Sequence, residues 1–295
     1  MQILITGGTG LIGSLLSKEL LAKGHKIRVL SRRVKKIPQI EVFTWDYKRG
    51  YLQAGAMDGI EVIVHLAGEG IADSRWTDSR KAALISSRVD SLHFLSQFVT
   101  PSLHTLIGGS ATGYYGGDTG ERLNSVTNRA GSDFLAECTI LWEKTEEAFA
   151  LTHKINLVKI RTGVVFSLGG GALPKLAGPV RAYIGSPLGT GKQWISWIHE
   201  QDLVSIFIDA IENPNKQAII NAVSPNPVSN GDLVKAIGKV LNKPVFFPNV
   251  PGFILRLLLG EMATVVLGSS KVVSNVSPDN FKFSNLEAAL KDLLV

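Results

Sequence analysis

Over roughly the first 165 residues, short apolar runs rich in Val, Ile and Leu alternate with longer stretches in which apolar residues recur three and four positions apart. The runs predict strands near 2–6, 26–31, 41–44, 61–66, 103–109 and 156–166. The stretches predict helices near 11–23, 78–99 and 132–153, the first carried by Leu11, Leu15, Leu16 and Leu20. Strands separated by helical crossovers make a parallel sheet with helices on its faces, and six of them imply a doubly wound α/β sheet. The alternation weakens after Phe166, at Gly169-Gly170-Gly171, and gives way to segments rich in Gly and Pro with shorter helices. The chain therefore divides into a first domain, 1–166, and a smaller C-terminal α/β domain, 167–295. Ile219-Ile220-Asn221 has the character of a strand returning to the first sheet.

Composition narrows the class. With 295 residues, 45% hydrophobic and 19% charged, the chain is long and apolar enough for a large core and is neither disordered nor collagenous. Its one cysteine, Cys138, forms no internal disulfide, so a reducing cytoplasmic compartment is the expectation. Met1 leads directly into the strand-like Gln2-Ile3-Leu4-Ile5-Thr6, with no sign of a signal peptide. Val250 to Gly268 is interrupted by Pro251, Arg256 and Glu261, too polar for a membrane span. The net charge of +6 suits an anionic ligand, yet only Arg32, Arg33, Lys35 and Lys36 cluster, so neither nucleic acid nor membrane is expected as a partner. The six histidines and the cysteine lack metal-ligand spacing, and no catalytic metal is expected.

The strongest motif is Thr6-Gly7-Gly8-Thr9-Gly10-Leu11-Ile12-Gly13, between the first strand and the first helix. Gly7 permits the tight turn, Gly10 the approach of backbone to a pyrophosphate, and Gly13 close packing of helix on strand; free N–H groups at the helix start receive negative charge. A Rossmann domain that selects NAD usually places an acid at the end of the second strand. Here stand Ser31-Arg32-Arg33, a hydroxyl and two guanidinium groups suited to a 2′-phosphate, so the expected cofactor is NADP(H).

Together with His65-Leu66-Ala67-Gly68 and Ser110-Ala111-Thr112-Gly113-Tyr114-Tyr115-Gly116, this loop resembles that of the extended short-chain dehydrogenase/reductases. The chain is more narrowly similar to their atypical "epimerase family" branch, through Trp76, Ser87-Arg88, Phe134-Leu135, Trp142-Glu143, Arg161-Thr162-Gly163-Val164-Val165, Gly189-Thr190-Gly191-Lys192-Gln193, Trp197-Ile198-His199 and Asp202. The tail from about 247 resembles the small C-terminal domain of that branch. The resemblance implies a Rossmann domain with a smaller substrate domain. It also implies that Leu66, Ala67 and Gly68 lie against the cofactor, that Arg88 reaches its active-site side, and that Val165 presents backbone to the nicotinamide carboxamide.

The chemistry departs from that family. Hydride transfer leaves charge on an oxygen, which an acid or base within hydrogen-bond reach must compensate. The family uses a Tyr with a Lys four residues later, and no tyrosine here has one; Phe134 and Cys138 stand in those places. Ser110, Tyr114 and His199 are the catalytic candidates, with Ala111 an alternative alignment for Ser110, Tyr115 an alternative phenol to Tyr114, and Glu137 and Glu143 as alternative acids. Asp202 reads as a helix N-cap. Lys192, Gln193, Trp194 and Trp197 read as a pocket rim. Ser110 lacks the full nucleophile-elbow pattern, and Gly185 to Lys192 misses a phosphate loop at Ser186 and Gln193. Two readings stand: an NADP(H)-dependent oxidoreductase or epimerase acting on a small molecule, with a nucleotide sugar the family's commonest substrate class, or an NADP(H)-binding regulatory protein without catalysis.

Overall fold

In the computed structural model, which describes residues 1–295, one sheet organises most of the chain. In chain order the first elements are β1 (Gln2–Thr6), α1 (Leu11–Ala22), β2 (Lys26–Ser31), β3 (Glu41–Asp46), β4 (Tyr51–Leu52), β5 (Val62–His65), α2 (Asp78–Leu95), β6 (Thr105–Ala111), β7 (Leu123–Asn124), α3 (Phe134–His153) and β8 (Asn156–Thr162). There follow β9 (Val164–Phe166), α4 (Ala172–Arg181), β10 (Trp194–Ile195), β11 (Trp197–His199), α5 (Glu200–Glu212), β12 (Ile219–Ala222), β13 (Val228–Ser229) and α6 (Asn230–Val240). The chain closes with α7 (Gly252–Leu259), α8 (Thr264–Leu267), β14 (Lys271–Val272) and α9 (Leu286–Leu294). The eight-stranded sheet has the order β12-β8-β6-β5-β1-β2-β3-β4, and every pair is parallel except β3 with β4. This is a Rossmann-like doubly wound α/β sheet.

Side chains alternate across a strand, so β1 feeds two cores at once. Ile3 and Ile5 join Leu16, Leu20, Ile206 and Phe207 under α1 and α5; Leu4 joins Leu92, Leu95 and Phe149 under α2 and α3. Truncating any of these buried side chains to Ala would cost about 2–5 kcal/mol. A third core unites Phe166, Leu173, Trp197, Leu233, Ile237, Phe283 and Leu290, tying α4, α6 and α9 to β9 and β11. No helix is long and apolar enough to cross a membrane.

Several elements differ from the sequence expectation, each for a local reason. The single strand expected over 156–166 breaks at Gly163, where a β-carbon would overlap the Ser196 carbonyl. The chain turns there, and β9 pairs with β11 instead of with the main sheet. The helix expected to reach 99 ends at Leu95 and tightens into a 3₁₀ turn, Ser96–Phe98. Ile219–Ala222 returns to the main sheet beside β8. Asp202 is not the cap of α5: the helix starts at Glu200, and His199 Nδ1 accepts from Gln201 N at 3.1 Å. Asp202 is buried and accepts from the backbone N–H groups of Lys282 and Phe283 at 2.8 and 3.0 Å, which fastens the C-terminal segment.

Candidate functional site

After β1 the chain crosses to β2 and β3 on one side and later returns to β5 and β6 on the other, so a crevice opens beyond the carboxyl end of β1. The glycine loop lines it. Gly7 has φ +68°, and a β-carbon there would stand 2.5 Å from the Leu66 carbonyl oxygen. A β-carbon on Gly8 would come 2.6 Å from Val29, and one on Gly13 would overlap the Gly7 carbonyl. Gly10 starts α1 without a side chain to cap it. The Gly10 carbonyl accepts the first helical bond, from Ser14 N at 3.0 Å, and the N–H groups of Leu11, Ile12 and Gly13 find no acceptor in the loop. With Thr9 exposed beside them, these donors form a cradle that fits the pyrophosphate of a dinucleotide.

A buried relay that the sequence reading missed fixes the far wall. Thr6 Oγ1 accepts from the N–H groups of Leu66 and Ala67 at 3.1 and 3.0 Å, so its own proton goes to His65 Nδ1, 3.0 Å away. His65 Nε2–H then faces the Arg88 carbonyl at 3.3 Å, with Ser91 Oγ equally close. Burial lowers the His65 pKa to about 4, so the ring is neutral near pH 7. A threonine ending one apolar strand and a histidine ending its neighbour were the available signal. Gly68 leaves room for Arg88, whose Cζ would stand 2.9 Å from a β-carbon there. The guanidinium lies 4.9 Å from the Trp142 ring centre and donates to the carbonyls of Leu84 and Glu69 at 2.8 and 3.0 Å.

Ser31 is buried at the end of β2, and its Oγ accepts from Arg33 N at 3.2 Å; the Arg32 and Arg33 side chains extend into solvent. Val165, in β9, faces Ile198 of β11. Its carbonyl lies beside Gly171, and Gly169 and Gly171 lie against the Leu11 side chain, so β9 reaches the rim of the glycine loop. The edge thus gathers Gly7, Thr9, Gly10, Leu11, Ile12, Ser31, Arg32, Leu66, Ala67, Gly68, Arg88 and Val165.

The end of β6 and the loop after it carry a buried charged network. Ser110 is buried at the carboxyl end of β6, and its Oγ donates to Glu143 Oε1 at 2.6 Å. Arg161 donates to both Glu143 oxygens at 2.7 and 2.9 Å and to the Tyr115 hydroxyl at 3.0 Å, which in turn donates to Asn221 Oδ1 at 2.8 Å. Lys159 Nζ stands 3.2 Å from Glu143 and 2.6 Å from Glu147. Burial by itself would raise the Glu143 carboxyl, but Arg161, Ser110 and Lys159 together hold it below the usual carboxylate value. Tyr114 packs on the Arg161 guanidinium, 3.4 Å from ring centre to Cζ, and lines a cavity of about 420 Å³ with Arg129, Lys144 and Lys159. A signal for this network was legible: Lys159 and Arg161 interrupt an apolar strand, and buried cations require acidic partners such as those α3 carries.

His199 ends β11. It is fully buried, stacks on Phe283 with ring centres 3.9 Å apart, and lies 3.3 Å from Asp292 of α9; burial outweighs that carboxylate and lowers its pKa to about 4. Nor do the four rim residues stand together. Gln193 is buried on the Leu188 and Val266 carbonyls, and Trp197 is buried on Phe166 with Nε1 donating to Asn226 O. Trp194 donates from Nε1 to Glu121, and Lys192 is exposed. Cys138 is buried, and burial raises its thiol pKa.

Residues 3–222 match the model of the NAD dependent epimerase/dehydratase family, and residues 250–293 match a domain of unknown function, DUF1731. The chain is 35% identical to the epimerase family protein SDR39U1 homolog, chloroplastic, of Arabidopsis thaliana, over all of this chain and 87% of that one. It is 31% identical to the epimerase family protein SDR39U1 of Mus musculus over the whole of both. A crystal structure of the human epimerase family protein SDR39U1 with NADPH superposes with a TM-score of 0.84 at 26% identity, covering 99% of each chain. Matched over its whole sheet by the family model and end to end by these relatives, the chain belongs to the NAD dependent epimerase/dehydratase family.

Proposed function

We propose that the chain binds NADP(H) in the crevice at the carboxyl edge of β1 and acts there as an oxidoreductase or epimerase on a small molecule held between the sheet edge and the C-terminal domain. The glycine cradle carries the reading. Its closest approaches leave no room for a β-carbon, and three N–H donors at the start of α1 await an anion. The human relative solved with NADPH supports the cofactor, and the end of β2 supports its phosphorylated form: Ser31 and Arg32 stand where an acid would exclude a 2′-phosphate. The bound cofactor would supply a hydride or accept one. The chain's own part is to hold it: Thr6 and His65 fix Leu66 to Gly68, Arg88 offers a cation at the same wall, and α1 offers its N-terminus. Arg32→Glu should weaken NADPH binding about 10–100-fold, the value of one charge-assisted contact, and leave NADH within about threefold. An equal effect on both, or none, would refute the assignment.

A second reading, cofactor binding without turnover, has its own observation. The hydroxyls of Ser110 and Tyr115 are consumed by Glu143 and Asn221, and Phe134 and Cys138 offer no proton relay. It predicts an NADPH that is held but not oxidised by any carbonyl substrate.

A further inference from the structure

At the N-terminal ends of α2 and α3, where the C-terminal domain meets the sheet edge, lies a cavity of about 410 Å³. Phe134 and Trp76 give it an aromatic wall, edge to face with ring centres 4.9 Å apart. Phe134 is one helical turn from Cys138 and about two from Trp142, which carries Arg88, so the cavity and the proposed cofactor wall share α3. The opposite side comes from the segment 250–293 through Glu261, which pairs with Lys81. Arg75 adds bonds to the Leu257 and Leu258 carbonyls, so the C-terminal segment closes a pocket that the first domain leaves open.

The charges of the lining are unequal: Lys81 faces Asp133, Glu137 and Glu261. The charge of Lys81 is met by Glu261 and by the Phe134 ring, 5.3 Å from its Nζ, which leaves Trp76 as the aromatic face for a ligand; the carboxylate of Asp133 is occupied by the N–H groups of Ala136 and Gly117 at 3.0 and 2.6 Å. Glu137, exposed in the first turn of α3, leaves its charge open to the cavity. Aromatic faces attract cations, and carboxylates repel phosphates at short range.

We infer that this cavity holds the substrate, and that it takes a flat, apolar-faced molecule that is neutral or carries an amine, and rejects nucleoside diphosphates. The inference rests on the cofactor reading above for its adjacency to the reaction, and it gives the C-terminal segment a role in choosing the substrate.

The test is calorimetric titration of the full-length protein, with and without NADPH, using tryptamine, tryptophol, indole-3-acetate and UDP-glucose as probes. Tryptamine and tryptophol should bind, tryptamine at least about tenfold more tightly than indole-3-acetate, and UDP-glucose should give no heat. Glu137→Gln, an exposed change that leaves the fold intact, should narrow the gap between amine and acid by about fivefold, the upper value of one surface charge pair. Indole-3-acetate or UDP-glucose binding as tightly as tryptamine, an unchanged gap in Glu137→Gln, or no binding by any indole would overturn the inference. Nicotinamide fluorescence in the same samples reads cofactor binding separately. Bound NADPH with no preference for the amine defeats the inference alone; a preference without bound NADPH defeats the cofactor reading alone.

Discussion

Replacing Arg161 by Leu separates a structural network from a catalytic one. Glu143 and Arg161 are 3% and 2% exposed, and the substitution removes two charge-assisted bonds to the carboxylate and one bond to Tyr115. Breaking a buried pair from one side costs about 3–5 kcal/mol, mostly because a charge is left buried without its partner. Here Ser110 and Lys159 still face Glu143, and Tyr115 keeps Asn221, which sets the expected loss near the lower end, about 3 kcal/mol. That is a large fraction of the about 5–15 kcal/mol typical of a domain, and it is measurable by equilibrium unfolding in urea. The pH dependence supplies the sign. The folded protein holds the Glu143 carboxyl below its unfolded value, so its stabilisation is present above about pH 4.3 and fades as pH falls through the folded value. Without Arg161, the burial that opposes ionisation dominates. The stability gap between wild type and Arg161→Leu should therefore be widest at pH 7 and narrow toward pH 3, and adding Glu143→Gln should recover part of the loss. The folded variant should bind NADPH within about twofold of wild type, because β8 stands three strands from β1 and its glycine loop. A loss under about 1 kcal/mol at pH 7, or a gap constant from pH 7 to pH 3, would refute this account of the loop.

Gly7→Ala should lower NADPH affinity by more than about tenfold and cost about 1–3 kcal/mol, since it forces a positive φ on a side chain that meets the Leu66 carbonyl; fluorescence titration and urea unfolding read the two effects. Glu146 is fully buried, its carboxyl oxygens lack hydrogen-bond partners, and burial with the nearby Glu143 raises its pKa well above the ordinary value. A raised folded pKa gives stability that is present below the unfolded value and lost as pH rises through the folded one. Glu146→Gln should accordingly raise the unfolding midpoint at pH 8 relative to wild type and show little gain at pH 4, which thermal unfolding at the two pH values checks.

Much of the fold was legible because periodicity reports burial. The apolar runs of β1, β2, β5 and β6 lie between two helical layers, and their ends fall within two residues of expectation, β6 being shifted by two at both ends to Thr105–Ala111. The glycine loop was legible because only a close approach explains so many glycines before a helix. What escaped were contacts between residues distant in sequence. Nothing local announces that Ser110 reaches Glu143, that Asp202 receives the backbone of Lys282 and Phe283, or that His199 is sealed against Asp292. Gly163 hid a break in what reads as one strand, because the cause is the Ser196 carbonyl of another strand's approach. The partners of these polar residues arrive only with the tertiary fold.

The central claim is that the crevice beside the glycine loop holds NADP(H), and the most direct measurement is titration of the purified protein with NADPH and with NADH, followed by nicotinamide fluorescence. The account predicts saturable binding with NADPH preferred by about tenfold or more, the contribution of the 2′-phosphate against Ser31 and Arg32. Equal affinity for the two would contradict the assignment of Arg32, and binding of neither would contradict the cofactor site itself.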